Sequence, residues 1–317
     1  MPIPNLRLKA IAVGLLAAAT ISNLGLSDEL DQIALPGETL FPESLAIDEA
    51  GGVYVSSVLE ARILYVTPER EIEDFVARGE HGLISVGGLK LSSDGTTLFA
   101  CNSDLGMNEF AGASSPALLA FDVSDKSLTG RWELPGGGLC NDIAISEDGE
   151  VYVTDSFVPR VLKLSPDRTE LTPILLDQRF TGEGFNLSGI VHTSDGLFVA
   201  KFNSGELYHI PMGPNGVPGD AVPLALSQPL FAPDGLALLN ESTFLVAESA
   251  GRLVKVTVSG HEAQVEVLAT DLRAPTAVSI DDGQAYVLIG QLDRLPNPQG
   301  SSPAPEPFRI EILDLAD

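Results

Sequence analysis

The chain has 317 residues, of which 44 are acidic and 18 basic, giving a net charge of −26 at neutral pH. Such a surface repels a phosphate backbone and argues against nucleic acid as a partner. Its two cysteines exclude a disulfide framework, and its length accommodates one large all-β domain.

In chain order, Arg7 and Lys9 precede the apolar stretch AIAVGLLAAA, which is followed by small and polar residues. This pattern predicts a signal peptide or uncleaved signal anchor over residues 1–25, and an exported protein, periplasmic or secreted. Nothing downstream is apolar enough to cross a bilayer. Residues 26–317 are expected to form a single domain. Its first strand-like segment is LDQIAL from Leu30.

Six repeats then follow, each with a short apolar strand, a tight turn often ending in Asp-Gly, and a second apolar strand. The clearest are GGLKLSSDGTTLFACN from Gly87, NDIAISEDGEVYVTD from Asn141 and SGIVHTSDGLFVAKF from Ser188. Weaker copies start at Glu43, Asp234 and Pro275, and the six starts are 44, 54, 47, 46 and 41 residues apart. A period of this size is the mark of propeller blades. Third runs such as RILYV from Arg62 and RLVKV from Arg252, and fourth runs such as EIEDFVA from Glu71, bring each unit to four strands. The expected fold is therefore an all-β, six-bladed β-propeller. The last unit lacks an outer strand before the chain reaches Asp317, and LDQIAL supplies it, closing the ring.

Antiparallel connectivity gathers the starts of the first strands and the ends of the second strands on one face, around the central channel. The first set includes Glu43, Asn141 and Asp234; the second includes Asn102, Asp155, Asn203 and Glu248. Hard oxygen donors from separate blades suit a cation such as Ca²⁺, which takes six to eight oxygens. In the fourth unit the matching residue is Ser188, with Asn186 two places earlier. Two long connections on this face, after Asn102 and after Ile289, are expected to rim the pocket. Cys101 and Cys140 are neighbours in this arrangement, either as a bridge or as two buried thiols. His192, on an otherwise apolar strand, reads as a packed core residue.

The segments FPESLAID around Glu43, CNDIAISEDG around Asn141 and APDGLAL around Asp234 resemble the gluconolactonase and regucalcin superfamily, and more distantly the paraoxonases. The resemblance spans most of the chain after about Leu35. It implies a six-bladed propeller with a divalent metal in the channel, usually Ca²⁺ (Zn²⁺, Mn²⁺ or Mg²⁺ being alternatives). It also implies Glu43, Asn186 and Asp234 as ligands, and Asn141 as a ligand or substrate contact. Where paraoxonase-like members carry a histidine, this chain has Gly87.

These readings converge on a metal-dependent hydrolase that opens a lactone or related ester, acting on a small-molecule substrate. Asp234 or Glu248 is the candidate base, and Asn102, Asn141 and Asn203 are candidate substrate contacts. A metal-dependent isomerase, dehydratase or cyclase, or a non-catalytic binding propeller, would use the same scaffold. The chain has no Gly-x-Ser-x-Gly elbow, no His-Glu-x-x-His helix and no phosphate-cradling loop.

Overall fold

The second strands are the most apolar part of each repeat, and Val53–Ser57, Val151–Asp155, Gly196–Lys201 and Thr243–Glu248 are buried along their whole length. A strand covered on both faces loses the in–out alternation of a one-sided sheet. Outer strands keep exposed polar residues, as in Ile72–Val76. In the computed structural model, which describes residues 31–213, 216–296 and 302–315, these strands form six separate antiparallel-based sheets.

The sheets are the blades of a propeller. Their inner strands are Pro42–Ile47, Ser85–Leu91, Cys140–Ile145, Leu187–Thr193, Pro233–Asn240 and Pro275–Asp281. Each contacts the next, and the last returns to the first. Apolar side chains pack between neighbouring blades in six clusters, so the core is divided among the blade interfaces. The ring is closed as expected: Asp31–Ala34 pairs antiparallel with Arg309–Asp314, placing Asp31 opposite Ile312. Residues 1–25, with the expected signal segment, lie outside the described residues.

Two details depart from four strands per blade. The outer strand of blade four is only Val222–Pro223, and blade five gains a fifth strand, Ala225–Leu226, parallel to Glu262–Ala269. Pro211, Pro218, Pro223 and Pro229 fall in this stretch, and proline has no N–H to donate to a ladder. The Asp-Gly turns behave as expected, with Gly95 and Gly149 at φ of 67° and 79° and their N–H groups bonded to Ser92 and Ser146 carbonyls.

Every inner strand carries an irregularity at its beginning that the repeat alone does not reveal. Between Pro42 and Leu45, two residues face a single residue of the second strand, and a one-residue excess recurs at the same place in the other five blades. Such a bulge breaks the strict alternation of the pleat. In blade six the shift falls between Pro275 and Ala277, so Thr276, not Pro275, is equivalent to Glu43. Phe41, Ala232 and Ala274 support this register: each lies two residues before its bulge position, and all three have positive φ, of 41°, 51° and 46°.

Candidate functional site

The bulges create two tiers of residues. The mouth tier is Glu43, Gly87, Asn141, Ser188, Asp234 and Thr276; the tier beneath is Ser44, Gly88, Asp142, Gly189, Gly235 and Ala277. The lower tier needs small residues because the inner strands nearly touch. A Cβ on Gly189 would lie 2.2 Å from the Asp234 carbonyl oxygen, and one on Gly235 would lie 2.7 Å from the Ala277 Cα. Two lower-tier side chains bridge blades instead, Ser44 Oγ accepting from Leu89 N at 3.0 Å and Asp142 Oδ2 from Ile190 N at 3.1 Å.

Above the tiers lies a cavity of about 250 Å³ lined by Glu43, Asn141, Ser188 and Asp234. The structure therefore brings together three of the four expected metal ligands, with Ser188 in the fourth place. Both long connections reach this cavity, through Leu105 from the first and Leu292, Asp293 and Leu295 from the second. The second connection is tied down by Arg273–Asp293 at 2.6 Å and Arg294–Glu306 at 3.0 Å. A larger cavity, about 350 Å³, opens at the other end of the channel beside Asp48, Glu49 and Lys90, but holds none of the mouth tier.

Glu43 has no protein hydrogen-bond donor among the described residues, and burial, followed by the charges of Asp234 and Asp142, pushes its carboxyl well above the usual range. Burial likewise pushes Asp234 up to about 7, against the opposing Ser249 hydroxyl, which donates to its Oδ2 at 3.1 Å. Asp142 is pushed up to about 6 by burial, with backbone N–H groups and Lys90 pulling the other way. Sequence reasoning missed Asp142. Adjacent residues of a regular strand point to opposite faces, and only the bulge puts Asn141 and Asp142 on the same channel.

The remaining expected site residues lie elsewhere. Asn186 directs its amide N–H groups to the Ser156 and Gly184 carbonyls, and its Oδ1 accepts from Asn203 at 3.1 Å. Asn203 also donates to the Glu183 carbonyl. Asn102 is fully buried, accepting from Ile84 N at 2.8 Å and donating to the Gly82 carbonyl and Ser114 Oγ. Glu248, also fully buried, receives Phe231 N at 2.6 Å and the Arg252 guanidinium on both oxygens. Asn102, Asn186, Asn203 and Glu248 do not line the mouth cavity. Asp155 has the same duty in blade three, accepting from Leu139, Phe157 and Val158 N–H groups and from Arg160.

At Gly87 a Cβ would sit 3.1 Å from the Asn141 carbonyl oxygen, a tight contact, and 3.7 Å from Glu43 Oε2, so a side chain there would require the neighbouring strand to shift slightly. His192 is stacked on Tyr152, with ring centroids 5.6 Å apart, and burial lowers its pKa. Cys101 and Cys140 form a disulfide that links blade two to blade three, beside Asn102 and Asn141.

The donor set fits a hard divalent cation. Glu43, Asp234 and Asn141 present oxygens to one desolvated cavity, and two neighbouring carboxylates raised by burial lack a basic partner there. Among the described residues no three His, Cys, Asp or Glu side chains are gathered to hold an ion by themselves, so a cation at this place would also draw on amide and hydroxyl oxygens.

No family model matches this chain, and no curated protein sequence matches it. Solved structures do. The major allergen Mala s 1 of Malassezia sympodialis is similar at TM-score 0.69 and 16% identity, over 90% of this chain and 96% of that one. A gluconolactonase of Xanthomonas campestris gives TM-score 0.62 and 14% identity, over 88% and 89%. Virginiamycin B lyase of Staphylococcus aureus gives 0.55 and 12%, over 82% and 95%. The chain shares the propeller fold of these proteins. The gluconolactonase resemblance read from the sequence holds at that level, and identities this low show the fold alone.

Proposed function

We propose that this protein is a divalent-metal-dependent hydrolase of a lactone or related ester. The observation that carries the reading is the convergence of Glu43, Asn141 and Asp234, from blades one, three and five, on one desolvated cavity. Support of a coarser kind comes from the fold, which is shared with a gluconolactonase and a lyase.

Glu43, Asn141 and Asp234, with the Ser188 hydroxyl at the fourth place, would hold the cation, Ca²⁺ being the first candidate. When bound, it would supply Lewis-acid polarisation of the substrate carbonyl and stabilise the oxyanion. Asp234 is the base. Its Oδ2 is engaged by Ser249, and Oδ1 has no protein donor among the described residues, so Oδ1 takes a proton from the attacking water as the new C–O bond forms. The same carboxyl returns that proton to the leaving alkoxide oxygen when the ring C–O bond breaks, which restores the carboxylate. Asn141 orients the carbonyl, and the apolar wall keeps other water away from it. Glu248 has no part in this scheme, because both its oxygens are occupied in the blade.

The test is a panel of lactones and aryl esters assayed with and without a chelator, on the native protein and on Glu43→Gln. Chelation and the substitution should each lower hydrolysis at least about 100-fold, the scale of losing a principal electrostatic stabiliser. Hydrolysis that persists unchanged in both would sink the proposal.

A further inference from the structure

The wall of the mouth cavity above the oxygen tier is almost wholly apolar. Val58, Val86, Leu105, Leu139, Leu292 and Leu295 form its sides, with Phe185 and Phe202 completing the blade-four side. The serine hydroxyl protons within it are spent on the fold: Ser103 donates to the Cys140 carbonyl at 3.2 Å and Ser188 to the Pro233 carbonyl at 2.8 Å. Ser249 lies within hydrogen-bond distance of both Asp234 and the Pro275 carbonyl. Asp293 is neutralised by Arg273. Among the described residues of the wall, only Ser85 Oγ is buried without a partner. The apolar character continues outward, because Phe157 and Phe185 are 49% and 42% exposed at the rim, with ring centroids 5.4 Å apart. Phe185 in turn meets Phe202 at 6.3 Å, which makes a staircase of rings from solvent to the cavity.

Resting on the hydrolytic reading, we infer that the substrate is a compact, uncharged, lipophilic lactone or ester whose tail lies on Phe185 and Phe202, and not a polyhydroxylated sugar lactone. A sugar lactone would surrender its hydrogen bonds with water to a wall whose described residues offer one unpartnered hydroxyl. An anionic substrate would find no unpaired cationic side chain among the described residues of the wall, and a protein of net charge −26 around it. The volume, about 250 Å³, lies just below the roughly 300–1,000 Å³ usual for ligand pockets, so the buried part must be small and the tail must emerge along the rings.

Two measurements on the Ca²⁺-supplemented full chain test this. The first is kcat/KM for γ-lactones bearing alkyl tails of increasing length, beside glucono-δ-lactone. The second is calorimetric binding of the matching alkyl γ-lactams, which resist hydrolysis. Each added methylene should raise both quantities about three- to fourfold until the rings are covered, and glucono-δ-lactone should be the poorest substrate. Phe185→Ser should flatten the tail dependence in both series. Lactam affinity that does not change with tail length, or a preference for the sugar lactone, would overturn the inference. Tail-dependent lactam binding without turnover of any lactone would uphold the lipophilic ligand and overturn hydrolysis.

Discussion

Asp234 and Glu248 belong to the same blade and lie at facing ends of its first two strands, with Pro233 directly opposite Glu248. Both are buried carboxylates on the mouth face, yet their surroundings differ in every respect. Glu248 is met by a backbone N–H and a guanidinium fork. Asp234 has one shared serine hydroxyl and two other carboxylates nearby. The contrast extends around the ring. Asn102, Asp155 and Lys201 stand at the same register as Glu248, and each pins the segment leading into its own blade's inner strand, Lys201 by donating to the Arg179 carbonyl at 2.8 Å. The outer set is satisfied and structural; the inner set keeps free oxygens. Polar residues of one type on one face thus divide by whether the fold has used their hydrogen-bonding capacity.

The largest effect should come from breaking the satisfied set. Glu248→Ala leaves the Arg252 guanidinium, 19% exposed, without its carboxylate, and removing one partner of a buried pair costs about 3–5 kcal/mol. Urea unfolding should show that loss, while protein that remains folded keeps its metal affinity. A Glu248→Ala variant of native stability and no activity would reverse the assignment, making Glu248 chemical and not structural.

A smaller effect should come from pH acting on the free set in metal-free protein. Asp142 and Asp234 have an ordinary value of 3.8 and are raised in the fold to about 6 and about 7. The folded state therefore binds more protons than the unfolded one between these limits. Their contribution is full below pH 3.8 and is lost as pH rises through 6 and 7. Carboxylates lowered by hydrogen bonds, such as Asp94 at about 2, change stability only below this window. Chelated protein should accordingly lose stability between about pH 4.5 and 7.5, read from thermal unfolding, and a divalent cation should restore it at the upper end. Stability that rises across the window without metal would show that the inner carboxylates are paired after all.

The sequence makes the six-fold repeat legible because each blade needs the same alternation of apolar strand and tight turn. Glu43, Asn141 and Asp234 are legible too, since each interrupts a position that an apolar residue would fill equally well. The bulge is much harder to read, because an extra residue leaves little mark in a run of small and apolar side chains. That one omission moved the blade-six position from Thr276 to Pro275 and hid Asp142. A trace of it does exist: Gly88, Gly189 and Gly235 directly follow mouth-tier residues, and this is the level at which the strands come too close for a side chain. Asn186 and Glu248 show the other limit. Their residue types match the site, but their partners, Ser156 and Gly184 carbonyls in one case and Arg252 in the other, are set by loop paths.

The finest separation between the two sets is at Ser249, the residue immediately after Glu248, whose hydroxyl lies 3.1 Å from both Asp234 Oδ2 and the Pro275 carbonyl. One hydroxyl carries one proton, so each hydrogen bond it gives to the carboxylate is withheld from the blade-six backbone. Donation to Asp234 favours the charged form and holds its pKa below the level that burial alone would set. Ser249→Ala removes this restraint, and the Asp234 carboxyl then titrates at higher pH. If Asp234 is the base, the acid limb of the hydrolysis profile should move upward by a fraction of a pH unit to about one unit. Stability should fall only by about 0.5–1.5 kcal/mol, the net worth of one hydrogen bond. An unchanged limb with the same loss of stability would assign the Ser249 proton to the Pro275 carbonyl, and with it Ser249 to the satisfied set, because a carboxylate that loses a donor must change the pH at which it titrates.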